Sequence, residues 1–352
     1  HEFWELAAFI ANTLIFLIVG VVIAERSVFT TNDLLILFIS IFSLSSQAQT
    51  TTIPDANFET RLIALGIDSD GLVNGQILNS DAAGVTNLNV FNKNISDLTG
   101  IAAFTNLIYL ECSTNRLTSL DLSSNPNLEV LYCYSNQLST LNLSNNLNLR
   151  TLYCNTNHFA ALNLSNNLNL EILYCNNNYL TALDVSNNPA LEVLHSHSNP
   201  FTTLNLSSNP LLETLHCYYN QLTTLDLSNN PLLEILYCHN TPLTNLNLSN
   251  NALLKILYCY RTPLTTINTS NNPALQIFRC HDNQLTSLNL SNNPNLQELY
   301  CTDNQLTNLN LSNNPTLQKL SCSENQITSL DFSNANSLIV LNCASAQLSD
   351  LN

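Results

Sequence analysis

Apolar positions along most of this chain follow one short score. A unit reads Leu128-Glu-Val-Leu131-Tyr-Cys133-Tyr-Ser-Asn136-Gln-Leu138-Ser-Thr-Leu141-Asn-Leu143-Ser-Asn-Asn146. Two half-turns are nested in it, LxxLxCxxN and LxxLxLSxN. Each LxC or LxL alternates with period two, the signature of a short strand with one buried face. Cys recurs every 21 residues from Cys112 to Cys343, except for one gap of 42 where Ser196 takes the rung. A fixed period of this size predicts a repeat solenoid. Its turns stack into two parallel sheets, one per half-turn, with Leu and Cys inside. So short a repeat leaves no room for a helix between strands, so little helix is expected outside the N-terminal segments.

Asn punctuates both half-turns. Asn115, Asn136, Asn157, Asn178, Asn199 and Asn220 follow the Cys strand, and Asn125, Asn146, Asn167, Asn188, Asn209 and Asn230 follow the Leu strand. Asn side chains bond loop backbone and tolerate turn conformations. Pro126, Pro189, Pro210, Pro231, Pro273, Pro294 and Pro315 stiffen the exit from the second ladder. Both ladders are read as scaffolding.

This nested 21-residue pattern resembles the leucine-rich repeats of bacterial surface proteins, over about three-quarters of the chain. Residues 85–110, VTNLNVFNKNISDLTGIAAFTNLIYL, resemble an internalin-type opening repeat, with 22 residues from Leu88 to Leu110. Residues 53–84 resemble the segment preceding such repeats in secreted proteins of Bacteroidetes-like bacteria. The resemblance implies a secreted or cell-surface recognition protein. A solenoid needs an end cap, because its first rung otherwise exposes apolar surface. Phe58, Leu62, Ile63 and Leu65 lie at helical spacing and are expected to supply it. Residues 49–84 are therefore read as the cap and 85–352 as the solenoid, stopping mid-strand at Leu351-Asn352 without a closing cap.

The first 48 residues read differently. Leu6–Ala24 is a mostly apolar run of 19, long enough to span a bilayer. Residues 3–25 resemble one membrane helix of a sodium/proton exchanger, and 1–30 are read as a membrane-helix-like segment of foreign character. Leu34–Leu44 is only 11 residues and leads to Ser46-Gln47-Ala48, a small-x-small cleavage site. Residues 31–48 thus look like a secretory signal, although Asp33 stands where a basic residue is usual. One reading is a two-pass membrane hairpin. The favoured one is a signal peptide whose start has been replaced by unrelated sequence, with the mature chain beginning at Gln49. Contact with a membrane is then expected only through residues 6–24, if they are native and retained. The chain has no Met, which also reads as a fragment or a processed product.

Composition removes several function classes. With 25 acidic residues against nine Lys and Arg, the net charge is −16, and a nucleic-acid backbone is excluded as partner. No Gly follows Gly100, which excludes Gly-rich phosphate cradles there. No HExxH, CxxC or GxSxG occurs, so no catalytic residue or cofactor is expected and the chain is read as non-enzymatic. Cys on neighbouring rungs lie ~4.8 Å apart and point the same way, which suits packing as free thiols better than bridging.

Three weaker chemical patterns remain. His195, His197 and His216 share one outer face, with His239 two rungs from His197, at spacings compatible with a metal; no carboxylate or thiolate completes the set, and solvated repeat variation is the preferred reading. Asp68, Asp70 and Gly71 echo a calcium loop, yet Gly66 and Ile77 fall where ligands belong. Glu171, Glu192, Glu213 and Glu234 form an acidic row bordered by Arg150 and Lys255, read as a solvated edge.

The outer face of the Cys strand carries the functional expectation. Before each Cys stand Tyr132, Tyr153, Tyr174, His195, His216, Tyr237, Tyr258, Arg279 and Tyr300; after it stand Tyr134, Asn155, Asn176, His197, Tyr218, His239, Tyr260 and His281. The opposite face is uniformly small and polar. Contiguous exposed aromatics mark binding surfaces; the alternative is that Tyr stacks on Tyr and merely covers the sheet. The predicted site is therefore Tyr132, Tyr134, Tyr153, Tyr174, His195, His197, His216, Tyr218, Tyr237, His239, Tyr258 and Tyr260, binding protein or glycan outside a bacterial cell. Two other classes stay open. One is a passive or ice-facing solenoid using the Ser/Thr/Asn face, whose ranks Asp121, Asp184, Asp226 and Asp331 interrupt. The other is a membrane-transport fragment resting on residues 3–25 alone.

Overall fold

The computed structural model describes residues 49–330, 334–344 and 350–351. The apolar runs Leu6–Ala24 and Leu34–Leu44 and the expected cut after Ala48 lie outside the described residues. Among the described residues, no helix is long and apolar enough to cross a membrane.

Each 21-residue repeat contributes one three-residue strand. The first four are β3 (Asn87–Asn89), β4 (Tyr109–Glu111), β5 (Val130–Tyr132) and β6 (Thr151–Tyr153), and the series runs to Val340–Asn342. Thirteen such strands form one parallel sheet in sequence order. Pairing is in register, Leu131 opposite Leu152 and Tyr132 opposite Tyr153. Leu88 pairs with Leu110 despite the 22-residue spacing; a single 3-10 turn at Ile101–Ala103 lies in that longer repeat.

The expected Leu and Cys interior is observed. Leu131, Cys133, Leu152 and Cys154 are fully buried, as are Phe159, Phe201 and Phe278 at Leu positions. Every Cys in the ladder is free, and all but the half-buried Cys343 are buried. Ser196 sits at zero exposure and directs its Oγ at His216 O, 3.4 Å away. Thr269, in place of a core Leu, donates to Asn289 O (3.3 Å) and Asn293 Oδ1 (2.9 Å). A buried hydroxyl is tolerated where such partners exist.

The second side of the solenoid is held with fewer strand contacts. It shows the isolated parallel bridges Asp121–Asn142 and Asp184–Asn205 and the short pair Ser329–Leu330 with Asp350–Leu351. The cause is local. Asn142 Oδ1 accepts from Ser144 N at 3.1 Å, so the chain turns within two residues and leaves no length for a strand. What stitches this side is the Asn ladder. Asn146 Nδ2 donates to Leu122 O (3.2 Å) and Asn125 O (2.9 Å), and this bonding recurs up the solenoid. The first ladder works the same way. Asn136 Nδ2 donates to Cys112 O and Cys133 O, both at 3.1 Å, while its Oδ1 accepts from Leu117 N at 3.0 Å. The left-handed residue is the one before the ladder position, whatever its type: Ser135 (φ 52°), Thr156 (56°) and Tyr219 (51°) before Asn, and Arg261 (51°) before Thr262, which takes the Asn's place.

At the N-terminal end, β1 (Thr50–Thr52) and β2 (Gln76–Leu78) pair antiparallel around helix α1 (Ala56–Ala64). Asp55 caps α1, accepting from Asn57 N (2.9 Å) and Phe58 N (3.0 Å). Its second oxygen accepts from Ser96 N, Ser96 Oγ and Asp97 N, tying the helix to the first repeat. Phe58 and Leu62 are fully buried, and Phe58 meets Phe104 with ring centroids 6.4 Å apart. Leu65, expected inside, is 38% exposed. It terminates α1 as its C-cap and has rotated past the buried face.

Candidate functional site

The strand alternation that buries Leu131 and Cys133 turns Tyr132 and Tyr134 outward, and parallel in-register pairing places each beneath its counterpart one rung on. Two columns of rings result. In the column before Cys, centroids are 4.4 Å apart for Tyr132–Tyr153, 4.1 Å for Tyr153–Tyr174 and 3.9 Å for Tyr174–His195. The stack continues through His195–His216 (3.9 Å), His216–Tyr237 (4.1 Å) and Tyr237–Tyr258 (4.2 Å), with interplanar angles of 3–16°. The Arg279 guanidinium then takes a ring's place, 4.6 Å from the Tyr258 centroid and 4.8 Å from that of Tyr300. In the column after Cys, His197, Tyr218, His239, Tyr260 and His281 stack at 4.0–4.3 Å.

The twelve residues expected from the sequence therefore share one surface, eleven of them in two stacked files. The stacking anticipated as the alternative to binding is also present: most ring faces are covered by neighbouring rings, and the outward-facing groups are ring edges, phenol hydroxyls and imidazole nitrogens. Tyr134 stands apart from its column and leans on Phe91, 6.4 Å away at 47°. Sequence reasoning left Arg279, His281, Phe91 and Tyr219 out of the site. Arg279 and His281 lie in the 21-residue register, and Phe91 joins it across the 22-residue opening repeat. Tyr219, 54% exposed, meets Tyr218 and His239 edge-on, and its left-handed backbone gave no sequence signal.

Burial beneath neighbouring rings shapes the titration of the site. It lowers the pKa of His195, His197 and His239 to about 4 and that of His216 to about 3. It raises Tyr153 to about 12. The surface is thus uncharged at neutral pH along its middle rungs.

The weaker patterns resolve into local bonding. Stacked His195 and His216 rings direct their in-plane nitrogen lone pairs side by side and do not converge on one ion, and among the described residues no three His, Cys, Asp or Glu side chains are grouped to hold a metal. Asp70 is occupied by its own loop, accepting from Leu72 N (2.8 Å) and Asn74 Nδ2 (2.7 Å). In the acidic row, Arg150 pairs with Glu171 and Lys255 with Glu234 at the exposed edge. On the opposite side, Asn163 accepts from Ser165 N at 3.1 Å and Asp184 from Ser186 N at 2.9 Å. Asn and Asp are interchangeable there because both close the same turn.

No protein-family profile matches the chain, nor does any curated protein sequence. Solved structures do. The functional domain of InlJ from Listeria monocytogenes, described as including a cysteine ladder, is 33% identical, with 87% of this chain and 73% of that one covered at a TM-score of 0.79. A leucine-rich repeat protein of Leptospira interrogans is 25% identical over 75% of this chain and 74% of its own, at 0.71. InlF, an internalin from Listeria monocytogenes, shares the fold at 23% identity, 87% and 98% coverage and 0.68.

Proposed function

The chain belongs to the internalin-type leucine-rich repeat proteins, to which InlJ belongs, and from that premise we propose that it is a non-enzymatic recognition module, working outside a bacterial cell and holding a protein partner on its Tyr/His face. The observation that carries this reading is the pair of ring columns. Tyr and His edges present hydrogen-bonding groups and apolar area together, with side chains already fixed by their neighbours, so little conformational entropy remains to be lost on binding. A protein is favoured over a glycan because a sugar stacks on an open ring face, and here most faces are covered. Placement outside the cell rests on the apolar run and small-x-small site before Gln49.

Photo-crosslinking tests this. A benzophenone amino acid at Tyr174 or Tyr258 is expected to capture a protease-sensitive product from cell-surface preparations, and the same probe at Asn163 or Asn247 is not. Replacing Tyr153, Tyr174, Tyr237 and Tyr258 together by Ser should abolish that product. The circular dichroism should stay unchanged, while melting falls clearly, since five ring stacks are lost and each contributes ~0.5–1.5 kcal/mol. Capture from Asn163 alone, or a product that survives protease and is lost to glycosidase, overturns the proposal.

A further inference from the structure

The turn that leaves the second Asn ladder carries a column of its own on the solvent side. On the earlier and later rungs this position is polar, and its side chain crosses to the rung before it. Asn148 Nδ2 donates to Pro126 O (3.4 Å), Asn169 Nδ2 to Leu147 O (3.3 Å) and Asn295 Nδ2 to Pro273 O (3.0 Å). The five rungs between Asn169 and Asn295 carry Ala190, Leu211, Leu232, Leu253 and Ala274 instead, side chains that cannot make this bond. The three Leu are not buried in exchange: they are 36–44% exposed. The preceding position extends the apolar strip with exposed Leu168, Pro210, Pro231 and Ala252. A lone exposed Leu means little, whereas a continuous file of them marks a contact surface.

The acidic row borders this strip. On each rung one buried Leu separates the strip from Glu171, Glu192, Glu213 or Glu234. Arg150 and Lys255 neutralise the outer two carboxylates, Glu171 and Glu234. Glu192 and Glu213 are exposed, and among the described residues no ion pair reaches them. The two open charges thus stand at the middle of the apolar strip.

We propose that this edge is a second docking surface, one that takes a cationic amphipathic segment of a protein partner. Its apolar side chains cover Leu211, Leu232 and Leu253, and its Lys or Arg row meets Glu192 and Glu213. The edge contains none of the ring columns, so the inference stands apart from the reading of the Tyr/His face. Charge selects the occupant. A second copy of the chain would bring another −16 against this one, whereas a cationic segment is attracted and has an apolar face to bury. Charge alone would be satisfied elsewhere on so acidic a chain; the apolar file beside two open carboxylates distinguishes this edge.

A labelled Leu/Lys peptide that is amphipathic when helical, set against the same residues in shuffled order, tests the proposal. Fluorescence anisotropy with the full chain at pH 7 should show the amphipathic order binding about tenfold more tightly. Leu211→Asn, Leu232→Asn and Leu253→Asn together install the residue that Asn148, Asn169 and Asn295 already supply at this position. That variant should keep its circular dichroism and its charge, while the advantage of the amphipathic order disappears. Glu192→Gln with Glu213→Gln, which serves if the Asn variant misfolds, should weaken the amphipathic peptide by about fivefold at low salt. The four Tyr→Ser changes on the ring columns should leave peptide binding as it was, so the two readings fail separately. Equal binding of the two peptides, or an advantage that survives both sets of changes, overturns the proposal. So does sedimentation of the unaltered chain as a dimer that the Asn variant renders monomeric, because the strip then serves a second copy.

Discussion

Asn166 and Asn167 are adjacent, identical in type and repeated together through the chain, yet they carry different loads. Asn167 is buried, and its Nδ2 donates to Leu143 O (3.2 Å) and Asn146 O (2.9 Å), two carbonyls inside the turn. Asn166 bonds Ser144 O at 3.1 Å on the exposed edge, where water can replace it. Asn167→Ala strands two buried acceptors and should lower unfolding free energy by about 2–4 kcal/mol, whereas Asn166→Ala should change it by less than ~0.5 kcal/mol; denaturant melts of the two variants give the comparison. That Asn punctuates the turns was legible from its recurrence. Which of two neighbouring Asn faces inward was less so, because that depends on the path of the turn. The left-handed position was illegible, since Ser, Thr, Tyr, Arg, Asp and Glu occupy it as well as Asn, and its N–H is bonded to the next rung whatever the side chain.

The thiols make a second prediction at this scale. Burial pushes Cys175 and Cys238 up to about 12, leaving them neither ionised nor accessible at pH 8. Cys343 is only partly covered. In native protein a thiol reagent should therefore find one fast-reacting group, and in denaturant without reductant close to all eleven. A majority blocked in denaturant would show that rungs are bridged after all.

At the scale of elements, period-two alternation told which side of each strand faces solvent, and the aromatic file was readable from that alone. Ring orientation was not, because face-to-face stacking arises only when parallel pairing brings equivalent residues into register. The His in those columns have a consequence for acid stability. Their folded pKa values lie near 3–4, below the usual 6.5, because burial disfavours the charged form. The unfolded chain therefore takes up protons first as pH falls. The stability these His contribute is fully present above about pH 6.5 and drains away as pH drops toward 4. The aspartates of the opposite turns, whose pKa values are lowered by bonds from Ser123, Ser186 and Ser228, add their loss only below the ordinary carboxylate range. The Tm should accordingly begin to fall between pH 6.5 and 5, and a His195→Tyr, His216→Tyr variant should flatten that early slope without moving the later one. A wild-type Tm constant down to pH 4.5 contradicts the assigned burial.

For the molecule as a whole, stability is a chain of nearest-neighbour contacts, so the end of the solenoid decides how much of it frays. Only the end rungs lack a neighbour on one side, and at the start the docked helix supplies it. Gly100 sets how closely that segment approaches. Its φ is +101°, and a Cβ there would lie 2.7 Å from Thr52 O and 2.3 Å from Ile53 Cδ1. Backbone cannot yield by that much, so Gly100→Ala should displace β1 and loosen α1 from the first repeat without touching any rung in the middle. Hydrogen exchange then separates a local from a global effect. Amides of β3 to β5 should lose protection in the variant, because their cover is gone. Those of the strands Thr214–His216 and Ile235–Tyr237 should keep theirs, since each still lies between two intact rungs. Uniform loss along the whole sheet would mean that the solenoid unfolds as one cooperative block, and that the cap governs the stability of the ring columns as well as that of the end.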